Sequence, residues 1–135
     1  MKVTLTHKEN VISWIAQIIA ALIMLQTLFF KFSGAEESVY IFSTVHMEPW
    51  GRYMTGTAEL LASILLLIPT LAWAGAILGI GIMTGAIICH LTILGISVMN
   101  DSGYLFFLAL LTFVACFVVV IVRRCQVPYL KKYFI

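Results

Sequence analysis

The chain has 135 residues, of which 62% are hydrophobic and only 10% charged, with a mean hydropathy of +1.08 and a formal net charge of +2. Eight Lys and Arg with six Asp and Glu cannot cover a water-soluble domain, so the solvent for most of the surface must be lipid. No stretch interleaves basic residues with aromatics as a nucleic-acid surface requires, so no nucleic-acid partner is expected.

The first apolar run, residues 11–31, is long enough to cross about 30 Å of hydrocarbon at 1.5 Å per residue. It exceeds the apolar core of a signal peptide and no small-x-small cleavage pattern follows before Lys31, so it reads as a retained span. An outer loop over 33–50 carries Glu36, Glu37 and Glu48. Ser33 and Glu36 have capping-box spacing, and Val39, Phe42 and His46 recur at helical intervals. A short surface helix and an ordered irregular loop both fit. Spans over 51–69 and 73–98 follow, joined through Pro69-Thr70-Leu71-Ala72, where Pro69 cannot continue the backbone ladder. After Asn100-Asp101-Ser102-Gly103 comes a fourth span, 104–122, closed by Arg123-Arg124.

The predicted fold is all-α: an integral membrane four-helix bundle, up-down antiparallel, forming a single membrane domain over 1–135. Lys2, Lys8, Arg123, Arg124, Lys131 and Lys132 flank its two ends, which places both termini in the cytoplasm. Trp14, Trp73 and Tyr129 then share the inner interface, with Trp50 at the outer one. Cys89, Cys116 and Cys125 form no Cys-x-x-Cys pair and two of them sit in apolar runs, so neither a disulfide framework nor a metal site is expected.

An ionisable group inside a bilayer needs a partner, a cavity or a route to the headgroups. Glu59 and His90 both fall roughly 12 Å below the outer boundary at 1.5 Å per residue, and Lys31 starts near that boundary, with a stem that can point down toward their layer or up to the headgroups. By helical phase Arg52, Gly56, Glu59 and Ser63 share a stripe on the second span. Gly75, Gly79, Ala86, His90 and Ser97 share one on the third, and Ser13, Gln17, Ala20, Thr27 and Lys31 one on the first. Gly75-x-x-x-Gly79 and Gly81-x-x-x-Gly85 fit close helix packing. The pocket candidates are therefore Lys31, Glu59, His90, Arg52, Gly56 and Ser63. Glu59 is expected to pair with Lys31 or Arg52 or to be protonated, while Lys31 alone fits snorkelling and His90 alone fits packing. Gln26 points away by phase and stays outside the site. His7, His46 and Glu48 read as solvated. The fourth span, with Thr112 its main hydrogen-bonding side chain, and the cytoplasmic half read as support.

Phe29-Phe30-Lys31-Phe32, Gly56-Thr57-Ala58-Glu59-Leu60-Leu61, Leu65-Leu66-Leu67-Ile68-Pro69, Met83-Thr84-Gly85-Ala86 and Cys89-His90-Leu91 together resemble the DoxX family of small bacterial four-helix membrane proteins. The likeness covers nearly the whole chain. It implies an up-down membrane bundle in which Lys31, Glu59 and His90 carry over, with roles in relatives from quinone-coupled sulfur oxidation and membrane oxidoreductase complexes to assembly of other membrane proteins. Two expectations follow. The first is a redox-linked subunit in which Glu59 and His90 exchange protons with a quinone or similar lipophilic small molecule and Lys31 stabilises its anion. Without a Cys-x-x-Cys, a dinucleotide fingerprint or facing haem histidines, such a subunit needs a membrane or extracytoplasmic redox partner. The second is a non-catalytic lipid-binding or membrane-protein assembly factor. Transport would require a homo-oligomer, since no span pair is unwound by Gly or Pro. No catalytic residue is assigned.

Overall fold

A computed structural model describes residues 4–128, so Lys2, Tyr129, Lys131 and Lys132, which entered the orientation argument, lie outside the described residues. The described chain is helical. Helix α1 runs His7–Ser33, α2 Glu36–Thr44, α3 Trp50–Leu66, α4 Ala72–Cys89 and α5 Tyr104–Val122. A π-helical turn, His90–Leu94, extends α4, and a 3-10 turn, Arg124–Gln126, follows α5. Three of these, His7–Ser33, Ala72–Leu94 and Tyr104–Val122, are long and apolar enough to cross a membrane.

Helix α1 begins with a reciprocal cap. The Glu9 N–H donates to Thr6 Oγ1 at 3.2 Å and the Thr6 N–H to Glu9 Oε2 at 2.8 Å, satisfying two otherwise orphaned donors. The helix ends where Gly34 turns left-handed at φ 69°. The Ser33–Glu36 spacing therefore caps nothing: Ser33 closes α1, and Ala35 precedes α2 without a side-chain bond. Glu36 and Glu37 instead favour the start of α2 by sitting at the positive end of its dipole.

Helices α1, α3, α4 and α5 pack in a ring, α1 against α3 and α5, and α4 against the same two. Neighbours run antiparallel. Gln17, early in α1, donates through Nε2 to Leu66 O at the end of α3 at 2.6 Å, while Lys31 at the end of α1 meets Glu59. Small residues set the spacing: Ala16, Ala20, Ala21, Ala62, Ala72, Ala76, Ala109 and Ala115 are all buried, with Met24, Leu66 and Val119 between them. Ile15, Leu22, Phe29, Leu61, Ile88, Phe107 and Val114 face outward instead. That inversion suits hydrocarbon, where association rests on close packing of small residues and not on expelling water.

Three boundaries differ from the sequence reading. The third apolar stretch does not stay helical to Val98: the chain leaves the helix after Leu94, Gly95 has φ 80°, and Val98 is buried in the loop. Helix α3 ends at Leu66, with Pro69 in the turns that lead to α4. The two glycine pairs of α4 also differ, for a Cβ on Gly75 would sit 2.7 Å from Ala62 O and Leu66 N, whereas one on Gly81 or Gly85 would meet nothing within 4 Å. Only Gly75 and Gly79 pack.

Candidate functional site

Between the helices, and beneath α2, lies a cavity of about 520 Å³. Its size is that of a small-molecule pocket. Lys31 of α1 and Glu59 of α3 meet on its wall, Lys31 Nζ lying 3.0 Å from Glu59 Oε2. Glu59 is 3% exposed, so the pair is desolvated and its geometry is held by packing. The Thr27 hydroxyl lies 3.2 Å from Glu59 Oε2 and 2.9 Å from Met24 O, and its single proton can serve one of them at a time.

His90 stands on the opposite wall, at the first residue of the π-turn and 6% exposed. Its Nδ1 is 2.9 Å from Gly95 O, which as a carbonyl can only accept, so Nδ1 carries the proton and neutral His90 keeps a lone pair on Nε2. Phe106 fixes the ring edge-on, with centroids 5.5 Å apart. The loop behind it is organised by Asp101, whose Oδ1 accepts the N–H groups of Val98 at 3.0 Å and Gly103 at 2.8 Å and whose Oδ2 accepts that of Leu105 at 3.2 Å. Partial burial pushes the Asp101 carboxyl up, but these three donors and the nearby His90 outweigh it and hold the group below its ordinary value. At the α2 side Glu37 lines the cavity, and burial, aided by the charge of Asp101, pushes its carboxyl up.

The three central candidates are thus brought to one cavity, and the other three stand beside it. Arg52 is buried outside the wall, holding Glu48 through Nε at 2.9 and 3.0 Å and through Nη2 at 2.8 Å, and donating Nη1 to Lys31 O. It clamps the C-terminal end of α1, where a cation meets the negative end of the helix dipole. Glu59 pairs with Lys31 and not with Arg52, and Glu48 is a partner of Arg52 and not simply solvated. Gly56 admits Phe32, whose ring would lie 3.1 Å from an added Cβ, and Ser63 spends its hydroxyl on Glu59 O at 2.8 Å.

Several wall residues escaped the sequence reading. Gln26, set aside by phase, lines the cavity, because the space reaches round the flank of α1 and past its inward face. Glu37 had been counted only as outer-loop charge. Four of the chain's six methionines, Met24, Met47, Met54 and Met83, also line it, as does Cys89. Helix α5 contributes Tyr104, Leu105, Leu108 and Ala109, so it is wall as well as support. The far end of the ring is not inert either. Arg123, 2% exposed, donates Nε to Ser13 Oγ at 2.7 Å and to Gln17 Oε1 at 3.1 Å, and Nη1 to Pro69 O at 3.0 Å. Among the described residues no group of three His, Cys, Asp or Glu side chains is placed to hold a metal.

The sequence profile of the DoxX-like family matches residues 15–117, most of the chain and all of the paired and cavity-lining residues named above as Lys31, Glu59 and His90. Neither a curated protein nor a solved structure matches it.

Proposed function

The chain belongs to the DoxX-like family of membrane proteins, and from that premise we propose a four-span protein of the bacterial inner membrane whose outward-facing cavity binds a quinone or a similar lipophile. Helix α3 is the fourth span; its 17 residues lie at the lower limit of the spanning range, about 17–25 residues. Charge asymmetry supports the orientation with both termini cytoplasmic. Among the described residues three basic side chains, Lys8, Arg123 and Arg124, lie with Glu9 at the end away from the cavity, and two, Lys31 and Arg52, each paired with a carboxylate, lie at the cavity end among Glu36, Glu37, Glu48 and Asp101.

One observation carries the binding reading: a desolvated Lys31–Glu59 pair faces His90 across an otherwise largely apolar cavity of ligand size. Such a pocket suits a guest with a hydrogen-bonding head and an apolar body. Nε2 of His90 offers an acceptor for a hydroxyl proton, the Glu59 carboxylate a second, and the Lys31 ammonium offsets negative charge on the head. Oxidation of a bound quinol would hand its protons to these acceptors and its two electrons to a redox partner subunit, and reduction of the quinone is the same exchange in reverse. A non-catalytic lipid-binding or assembly role is the second reading, favoured by the fact that Lys31 and Glu59 already satisfy each other.

The test uses purified full-length protein in nanodiscs titrated anaerobically with the reduced, quinol form of a benzoquinone bearing a ten-carbon chain. Saturable binding is expected, weakened at least tenfold, about 1.4 kcal/mol, in Glu59→Gln and in His90→Ala. Removing one partner of a buried pair can itself destabilise the fold, so the double variant Lys31→Met/Glu59→Gln, which leaves no lone charge, is measured beside them. Unchanged affinity in all three folded variants, or only non-saturable partitioning in wild type, sinks the quinone reading. Retention of a defined phospholipid in wild type, with no quinone bound, selects the second.

A further inference from the structure

Gly81 and Gly85 stand one turn apart on α4, are exposed, and both line the cavity. At about 100° per residue, Met83 and His90 point into the ring, Ile82 lies about 90° round from them and Gly85 about 150°. The cavity therefore does not end in the interior but passes round the flank of α4 to its outer face. That flank is the one toward α3, since Gly75 on the same side abuts Ala62 and Leu66. On α3 the facing wall is Met54, Thr55 and Ala58, all small or flexible. At the inner end stands His90, 6% exposed, whose Nε2 has no hydrogen bond among the described residues.

We propose that this passage is a window between α3 and α4, with Gly81 and Gly85 as its sill, through which the hydrocarbon chain of a bilayer amphiphile enters the cavity. The proposal rests on the reading of the cavity as a lipophile site and specifies its route of access. Hydrocarbon is the occupant because Met54, Thr55, Ala58, Gly81 and Gly85 carry no charge and exposed apolar side chains, Leu61 on α3 and Ile88 on α4, stand next to them round the two helices. The ionisable groups lie further in. A bare backbone at the sill lets a chain lie against the helix, whose own hydrogen bonds leave no polar group to repel it. The chain can belong to a phospholipid or to a quinone.

The experiment places full-length protein in nanodiscs containing a small fraction of phosphatidylcholine with a diazirine on one acyl chain, photolyses it and maps the adducts by mass spectrometry. Wild type is expected to carry adducts inside, at Met83 or Cys89, as well as outside, at Ile77 and Ile88. Gly81→Ala/Gly85→Ala, whose added Cβ atoms meet nothing, keeps that pattern. Gly81→Leu/Gly85→Trp loses at least fivefold of the inside adducts and keeps those outside; Gly85→Leu alone serves if the double variant does not fold. Excess unlabelled ten-carbon quinone that displaces the inside adducts assigns the window to the quinone chain, and adducts that persist assign it to phospholipid. Inside labelling undiminished by the bulky variants overturns the window while leaving a lipophile cavity, and the quinone titration decides that cavity's own fate. Wild type without inside adducts overturns the window as well.

Discussion

Arg123 occupies a position that sequence rules assign to the headgroup region, immediately after a long apolar helix, yet its side chain turns inward and joins three segments. Ser13 and Gln17 of α1 and the Pro69 carbonyl between α3 and α4 are all held by one guanidinium, which has no carboxylate partner among the described residues. Replacing it with Met should destabilise the folded protein by about 3 kcal/mol, since orphaned buried groups cost roughly 1–3 kcal/mol each. Lys should recover less than half of that loss, because a single ammonium cannot reproduce the fork. Thermal unfolding in detergent reads both, and a wild-type midpoint for Arg123→Met would remove the lock from the account. Sequence could not have revealed this role, as Arg123 and Arg124 look alike there and only the packing of Ser13 and Gln17 separates them. Lys31, Glu59 and His90 were more legible, because a charge placed deep in an apolar run has few places to go. Arg52 shared their stripe, but its reach led it to Glu48 and the end of α1.

On α4 one sequence pattern serves two ends, and the difference is testable by adding a single carbon. Gly75→Ala drives a Cβ into the backbone of α3, and overpacking of that kind costs about 1–3 kcal/mol. Gly81→Ala meets nothing and should be neutral or stabilise by up to about 1 kcal/mol, the usual gain from replacing Gly within a helix. Equal effects at the two positions, measured by unfolding in SDS, would contradict the assignment of one pair to packing and the other to open space. The loop from Gly95 to Gly103 has its own signature. Asp101 is held below its ordinary value, so its contribution is fully present above the unfolded carboxyl's pKa, about 3.9, and is lost as pH falls through the lower folded value. Hydrogen exchange at Gly103 and Leu105 should therefore accelerate, beyond the intrinsic pH trend, only in that acid window. Asp101→Asn should show no such step, and a step retained in the variant would assign it to another group. Helix existence was legible from the apolar runs; the π-turn, where His90 closes on the Gly95 carbonyl, was not, because it leaves no composition signal.

Taken whole, the molecule is fastened all round at one end and holds its cavity at the other. The Arg123 network and the small-residue contacts around Gly75 and Gly79 draw the four long helices together, while at the other end Lys31, Glu59 and Arg52 join α1 to α3 and α2 lies beside the cavity. The proposed orientation puts the fastened end in the cytoplasm. A phosphatase reporter fused after Ile135 should then be silent and a fluorescent protein at the same point bright; active phosphatase would invert the whole arrangement. Sequence suggested that the ionisable groups share one level of the bundle but not the proposed route to them, since a lateral opening depends on which flank each helix leaves unfilled.

The methionine lining has a consequence for what such a cavity can tell apart. Unbranched thioether side chains bend to fit their contents, so the wall formed by Met24, Met47, Met54 and Met83 behaves as a glove and not a mould. In the proposed lipophile reading, guests with different tails should be held almost alike, whereas a change in the head, which would lie against Lys31, Glu59 and His90, should be felt sharply. Evolution could then exchange one amphiphile for another by altering a few polar positions, leaving the helices where they stand.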